Sequence, residues 1–286
     1  MKPDLSELLF NSLNEQGFLF QEACAHCLKK TDTGWEVKAF EYPVSLQGDD
    51  TRVDIVLFDR ISPHPELWAL IECKRADPEY VYWLFGSPGL PFGDALCSAL
   101  GFECPHFRSD QPFHVRLLVS PLHFGIITYG VENWVEVKKR SGKRASTPQS
   151  IENAFTQVLK GVGGFAQEHL DQRRKAQKNF RAFFIPIIVT TATLYVAHYK
   201  PEDVDLETGT IDREKVGLGP QGQPPEEVEW VLVDYGAGES VAPRSIPENY
   251  VGVDPAELQK YKTRSIFVVN SKSIPSFFSK LRLVSE

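Results

Sequence analysis

Two neighbouring stretches, TRVDIVLF at 51–58 and LWALIECK at 67–74, are apolar enough to be core strands, yet both carry charge among the apolar residues. Side chains of an extended chain alternate between faces with a period of two. Leu70, Glu72 and Lys74 therefore share one face of their strand, and Ala69, Ile71 and Cys73 the other. By the same rule Arg52, Asp54, Val56 and Phe58 share a face of the preceding strand. Charge on a strand built for burial is costly unless it is paired or used. If the two strands are hairpin neighbours with matched faces, Asp54, Glu72 and Lys74 converge on one spot. Two carboxylates that close repel each other unless a cation joins them. Oxygen ligands of this kind suit a hard divalent ion, Mg²⁺ most naturally.

Such an ion polarises a phosphoryl oxygen and acidifies a water. A lysine beside it orients that water, deprotonates it if its own pKa is lowered, or stabilises negative charge in the transition state. Phosphodiester hydrolysis requires this combination. The plainer reading of Glu72 and Lys74 is an edge-strand salt bridge, worth little energetically. The apolar setting of both strands argues against it.

The surrounding pattern supplies an order of elements. FLFQEACAHCLKK at 18–30 reads as a helix with Leu19, Ala23 and Cys27 on one stripe and Phe20 and Cys24 beside them. WEVKAFEYPVSL then reads as a strand and QGDDT as a hairpin turn, so a helix precedes an antiparallel meander of three strands. Residues 77–149 are rich in Pro, Gly, Phe and Trp, with short strand-like pieces (HVRLLVS, FGIITYG, NWVEVKK), and read as an insertion that closes on the basic run KKRSGKRASTPQS. The strongest helix spans 150–178, where Ile151, Ala154, Phe155, Val158, Leu159, Val162, Ala166 and Leu170 recur at helical spacing. Gly161, Gly163 and Gly164 in its middle predict close packing or a bend. FFIPIIVT and TLYVAHY read as strands, 200–262 as a polar excursion, RSIFVVN as a strand and IPSFFSKLRLV as a short helix. There is no internal repeat.

An aspartate on one strand followed by Glu-x-Lys on the next, Asp54 and then Glu72-Cys73-Lys74, resembles the PD-(D/E)xK nuclease superfamily. The order of elements is similar too, over roughly residues 15–75 and 150–200. The resemblance implies an α/β, restriction-endonuclease-like core: helix, three-stranded meander, crossover helix and further strands, here one domain over 1–286 with insertions. It implies a metal-dependent nuclease acting on nucleic acid, DNA ahead of RNA. Asp54 and Glu72 would hold Mg²⁺ or Mn²⁺, Glu22 of the first helix would add a ligand, and Lys74 would position water. Val53 stands where the motif has a proline, which the family often lacks. Gln157 lies in the expected crossover helix, where some branches use a glutamine, but QVLKG is not the QxxxY form. Family analogy further implies restriction or phage defence, as a homodimer or as a partner subunit of a defence complex. The alternative is a catalytically silent nuclease-like subunit that binds nucleic acid or protein; retention of Asp54, Glu72 and Lys74 disfavours it. A third is an enzyme of another fold whose charged strands are coincidental.

Net charge is -7, so a polyanion must be held by a local basic patch, by metal ions or by a partner. The densest positive runs are Lys138, Lys139, Arg140, Lys143 and Arg144, and Arg173, Arg174, Lys175, Lys178 and Arg181. They flank the expected crossover helix and are the candidate nucleic-acid track, although a charge run is more often a solvated face. Tyr80, Tyr82, Trp83 and Phe85 suit base stacking or, more simply, core packing of the insertion. Cys24-Ala-His-Cys27 has zinc-ligand spacing but reads as helix, where thiols are ordinarily buried; His26 reads as helix surface. The five cysteines predict free thiols in a reducing cytoplasm. MKPDLSELLF lacks the pattern of a signal peptide, and FFIPIIVTTATLYVA is too short for a membrane span.

Overall fold

The computed structural model describes residues 4–15, 17–46, 48–61, 65–87, 92–104, 116–138, 150–176, 179–212, 216, 225–236 and 263–284. Two helices, α1 (Leu5–Glu15) and α2 (Phe18–Lys30), lead into the meander β1 (Trp35–Leu46), β2 (Asp49–Asp59) and β3 (Glu66–Lys74). Both of its pairings are antiparallel. Gly48, at φ 93°, supplies the left-handed residue of the tight β1–β2 turn. Next come β4 (Tyr82–Ser87), β5 (Phe92–Cys104), β6 (Arg116–Val131) and β7 (Asn133–Val137), then the long helix α3 (Ser150–Ala176). The later elements are β8 (Phe180–Thr190), β9 (Thr193–His198), β10 (Glu226–Val228), β11 (Trp230–Gly236), β12 (Thr263–Asn270) and α4 (Ile274–Lys280).

The molecule is a mixed α/β protein dominated by strands. Eight strands form one mixed sheet in the order β1-β2-β3-β8-β12-β11-β6-β5, and four form a second, β10-β9-β4-β7. β8 lies in the middle of the larger sheet, parallel to β3 from Glu66↔Ala182 to Lys74↔Thr190. Its near-continuous apolar run follows from burial on both faces. On its other edge β8 changes partner: β5 covers Phe180 to Phe184, and β12 takes over from Ile187. Pro186, which has no N–H to give, falls in the gap between those two ladders.

The expected helix at 18–30, the meander, the long helix and FFIPIIVT are all present. Elsewhere the structure differs from the sequence reading. Segment 77–149 is woven into both sheets rather than hung beside them: β5 and β6 join the larger one, β4 and β7 the smaller. The polar excursion at 200–262 supplies β10 and also β11, which pairs with β12 and β6. TLYVAHY crosses to the smaller sheet as β9, and α1 had no counterpart in the sequence reading.

Helices cover both faces of the larger sheet. On one side α2 and α4 bury Cys24, Leu28, Phe277 and Phe278 against Ile55, Ile71, Ile187 and Phe267. On the other, the second half of α3 packs Val162, Phe165, Ala166 and Leu170 on Val53, Val56, Leu70 and Phe184. The first half of α3 lies under the smaller sheet, with Phe155 and Leu159 against Trp83, Phe85 and Val196. Each large side chain buried this way contributes about 1.5–3 kcal/mol.

Two of the α3 glycines, Gly161 and Gly164, are explained by close approach. A Cβ on Gly161 would stand 2.9 Å from Val53, and one on Gly164 2.8 Å from Val44. The helix therefore presses its backbone on β1 and β2. Its first turn is capped from β7: a Glu136 carboxylate oxygen accepts from the Ser150 N–H at 3.0 Å, the Ser150 hydroxyl at 2.6 Å and the Ile151 N–H at 3.0 Å. Among the described residues no helix is long and apolar enough to cross a membrane.

Candidate active site

The β2–β3 ladder runs from Phe58↔Trp68 to Ile55↔Ile71. Asp54 and Glu72 are the first residues past it. There the Asp54 side chain takes the place of backbone pairing: its Oδ2 accepts from the Cys73 N–H at 2.7 Å. Strict alternation also stops at this point. Val53 and Val56 pack in the same cluster under α3, whereas Ile55 belongs to the cluster on the opposite face. The expected shared face of Arg52, Asp54 and Val56 is thus broken by a slip of phase.

β1 slips at the paired position. Ala39 and Tyr42 both pack on the α3 side, and between Phe40↔Ile55 and Tyr42↔Val53 stands Glu41 with φ 49°. Left-handed backbone costs a glutamate roughly 1–2 kcal/mol, and such residues cluster at functional sites. Glu41 is held by Arg52 at 2.8 Å, and its charge raises the pKa of both Asp54 and Glu72.

Asp54 and Glu72 are only 6% and 8% exposed. Burial raises the Asp54 pKa, while the hydrogen bonds from Cys73 and Gln21 oppose the rise. Glu72 is pushed up to about 7, first by burial and then by the charge of Asp54. Lys74 Nζ lies 3.3 Å from Glu72 Oε1 and donates to Gln157 Oε1 at 2.6 Å. The arrangement is a pair of carboxyls that resist ionising together, with a lysine held between one of them and a helix amide.

The structure brings Asp54, Glu72, Lys74 and Gln157 together and leaves Glu22 out. Glu22 is exposed in a groove with Leu19, His26, Lys29 and Phe40. Its neighbour Gln21 faces the site instead, Nε2 donating to Asp54 Oδ1 at 2.8 Å. The reason is helix phase. The buried stripe of α2 is Cys24, Ala25 and Leu28, not Leu19, Ala23 and Cys27, and Gln21 extends it three, four and seven residues back. That stripe was readable in the sequence once the right phase was chosen. Glu41 left no comparable signal, because its role depends on pairing with Asp54.

The candidate track is more engaged than expected. Arg173 pairs with buried Glu66, which also meets His169 Nε2 at 3.1 Å. Lys138 pairs with Glu79 at 2.8 Å and lies over the Tyr80 ring. Lys175 is exposed. Lys139, Arg140, Lys143, Arg144, Lys178 and the Arg174 side chain lie outside the described residues. Trp83 and Phe85 are core residues. All five cysteines are free, and Cys24 lies against Cys73.

Among the described residues no three His, Cys, Asp or Glu side chains gather around one point. The site offers two carboxylates and two amide oxygens: Gln157 Oε1 is taken by Lys74, and Gln21 Oε1 is buried without a hydrogen-bond partner. Two carboxylates, an amide oxygen and water fit Mg²⁺ or Mn²⁺, because Mg²⁺ is commonly bound through one or two carboxylates and keeps several waters. No protein-family model, curated protein or solved structure matches the chain.

Proposed function

We propose that the protein is a divalent-metal-dependent nuclease with a restriction-endonuclease-like core, hydrolysing phosphodiester bonds in nucleic acid, with DNA the first substrate to test. One observation carries the reading: Asp54, Glu72 and Lys74 meet where β2 and β3 leave their ladder, with Glu72 lifted to about 7. Even with Lys74 beside Glu72 the two carboxyls resist ionising together, and a bound cation would relieve that repulsion. Asp54 and Glu72 would hold Mg²⁺ or Mn²⁺. When bound, the ion supplies charge to a phosphoryl oxygen and makes water more acidic. Lys74, held by Gln157, is placed to orient a water and to offset charge on the phosphate. The resemblance to the nuclease superfamily extends the proposal to restriction or phage defence in the cytoplasm.

The test is cleavage of supercoiled plasmid, linear DNA and RNA with Mg²⁺, Mn²⁺ or EDTA. Lys74→Ala should lower the rate by about a hundredfold or more while melting and nucleic-acid binding stay close to wild type. Cleavage by this variant at the wild-type rate would sink the assignment.

A further inference from the structure

Gln21 Oε1 is unpartnered, although the other end of the same amide donates to Asp54. A buried acceptor left unpaired costs about 1–3 kcal/mol. The amide faces Asp54 with its NH₂ group because a carboxylate without a cation accepts hydrogen bonds and offers none. A cation on Asp54 reverses that preference: the NH₂ group would then point positive charge at positive charge. A half-turn about the last side-chain bond exchanges NH₂ for oxygen with almost no change of shape.

We propose that Gln21 is the ligand α2 contributes to the divalent-ion site, its amide turning over on binding so that Oε1 faces the cation. The inference rests on the metal reading above and assigns the ligand to a neutral side chain, in place of the acidic Glu22. The turn gives the orphaned oxygen the cation as partner and moves the NH₂ group to the place the oxygen leaves, so the gain comes from the oxygen–cation contact and not from pairing both ends of the amide. With Gln21 the site keeps the charge of two carboxylates, which suits an ion held with several waters rather than a tightly caged one.

The experiment follows the Gln21 side-chain NH₂ resonance by nitrogen-15 NMR, assigned by its loss in Gln21→Leu, during titration with Mg²⁺. Calorimetry of Mn²⁺ binding to wild type, Gln21→Leu and Asp54→Asn runs alongside. Melting in EDTA checks that each variant is folded. In wild type the NH₂ resonance should move as its bond to Asp54 is lost, saturating with the binding curve, and Gln21→Leu should bind Mn²⁺ more weakly by about tenfold or more. Ion binding that leaves the NH₂ resonance in place would overturn the proposal, with Gln21 only steadying Asp54 and the metal reading intact. Failure of wild type to bind either ion, without or with an added oligonucleotide, would overturn the metal reading and this inference together.

Discussion

Glu72 titrates near neutrality because burial strips its charged form of water and Asp54 adds repulsion. Its folded pKa, about 7, lies above the 4.5 of an unperturbed glutamate. Between those values the folded chain binds more protons than the unfolded one, so stability falls as pH rises through the window. The loss is complete above pH 7 and amounts to at most about 3 kcal/mol. In EDTA, Glu72→Gln should match wild type near pH 4 and exceed it at pH 8 by up to that amount, as urea unfolding at each pH will measure. Parallel curves would mean that Glu72 ionises without penalty. At this scale the sequence was informative about Asp54, Glu72 and Lys74, whose spacing along strands is a local property. It was silent about Glu41, whose charge matters only because β1 is paired beside Asp54.

α3 meets the meander through its glycines, so the element contact can be tested there. In an open helix Gly→Ala stabilises by about 1 kcal/mol. At Gly164 the added methyl meets the Val44 Cβ at 2.8 Å and its Cγ2 at 3.0 Å, atoms of a short, buried, β-branched side chain rather than of a flexible tip. Gly164→Ala should therefore destabilise by about 1–3 kcal/mol. Val44→Ala, which removes the Cγ2 at 3.0 Å but keeps the Cβ at 2.8 Å, should recover part of that loss in the double variant, a coupling that denaturant melts of the four proteins will resolve. Independent melts, with no recovery in the double variant, would contradict the close approach. The three glycines in one helix already pointed to close packing or a bend. Only the assembled sheet shows which strands the helix approaches.

An acidic molecule that binds nucleic acid depends on where its few free cations lie. Arg173 is spoken for by Glu66, so Arg173→Ala should lower stability by about 2–4 kcal/mol and leave the salt dependence of DNA binding unchanged. Neutralising Lys139, Arg140 and Lys175 should weaken binding to all sequences alike. Each lost phosphate contact should flatten the log–log salt slope by roughly one unit. Fluorescence anisotropy at several salt concentrations separates the two effects, and a salt-slope change confined to Arg173→Ala would invert the assignment. The sequence by itself determined the elements whose apolar period is strong and local: α2, the meander, α3 and β8, and with them the acidic pair and its lysine. The tertiary structure decided which face of α2 turns inward, and so Gln21 rather than Glu22. It also decided that β5, β6 and β11 complete the main sheet, and that β1 and β2 slip phase together at Glu41 and Asp54. Periodicity along a chain reports how each segment divides its own faces between core and solvent. Pairing partners, helix rotation and shared irregularities are settled between segments far apart in sequence, by whichever faces bury the most apolar surface without stranding polar groups.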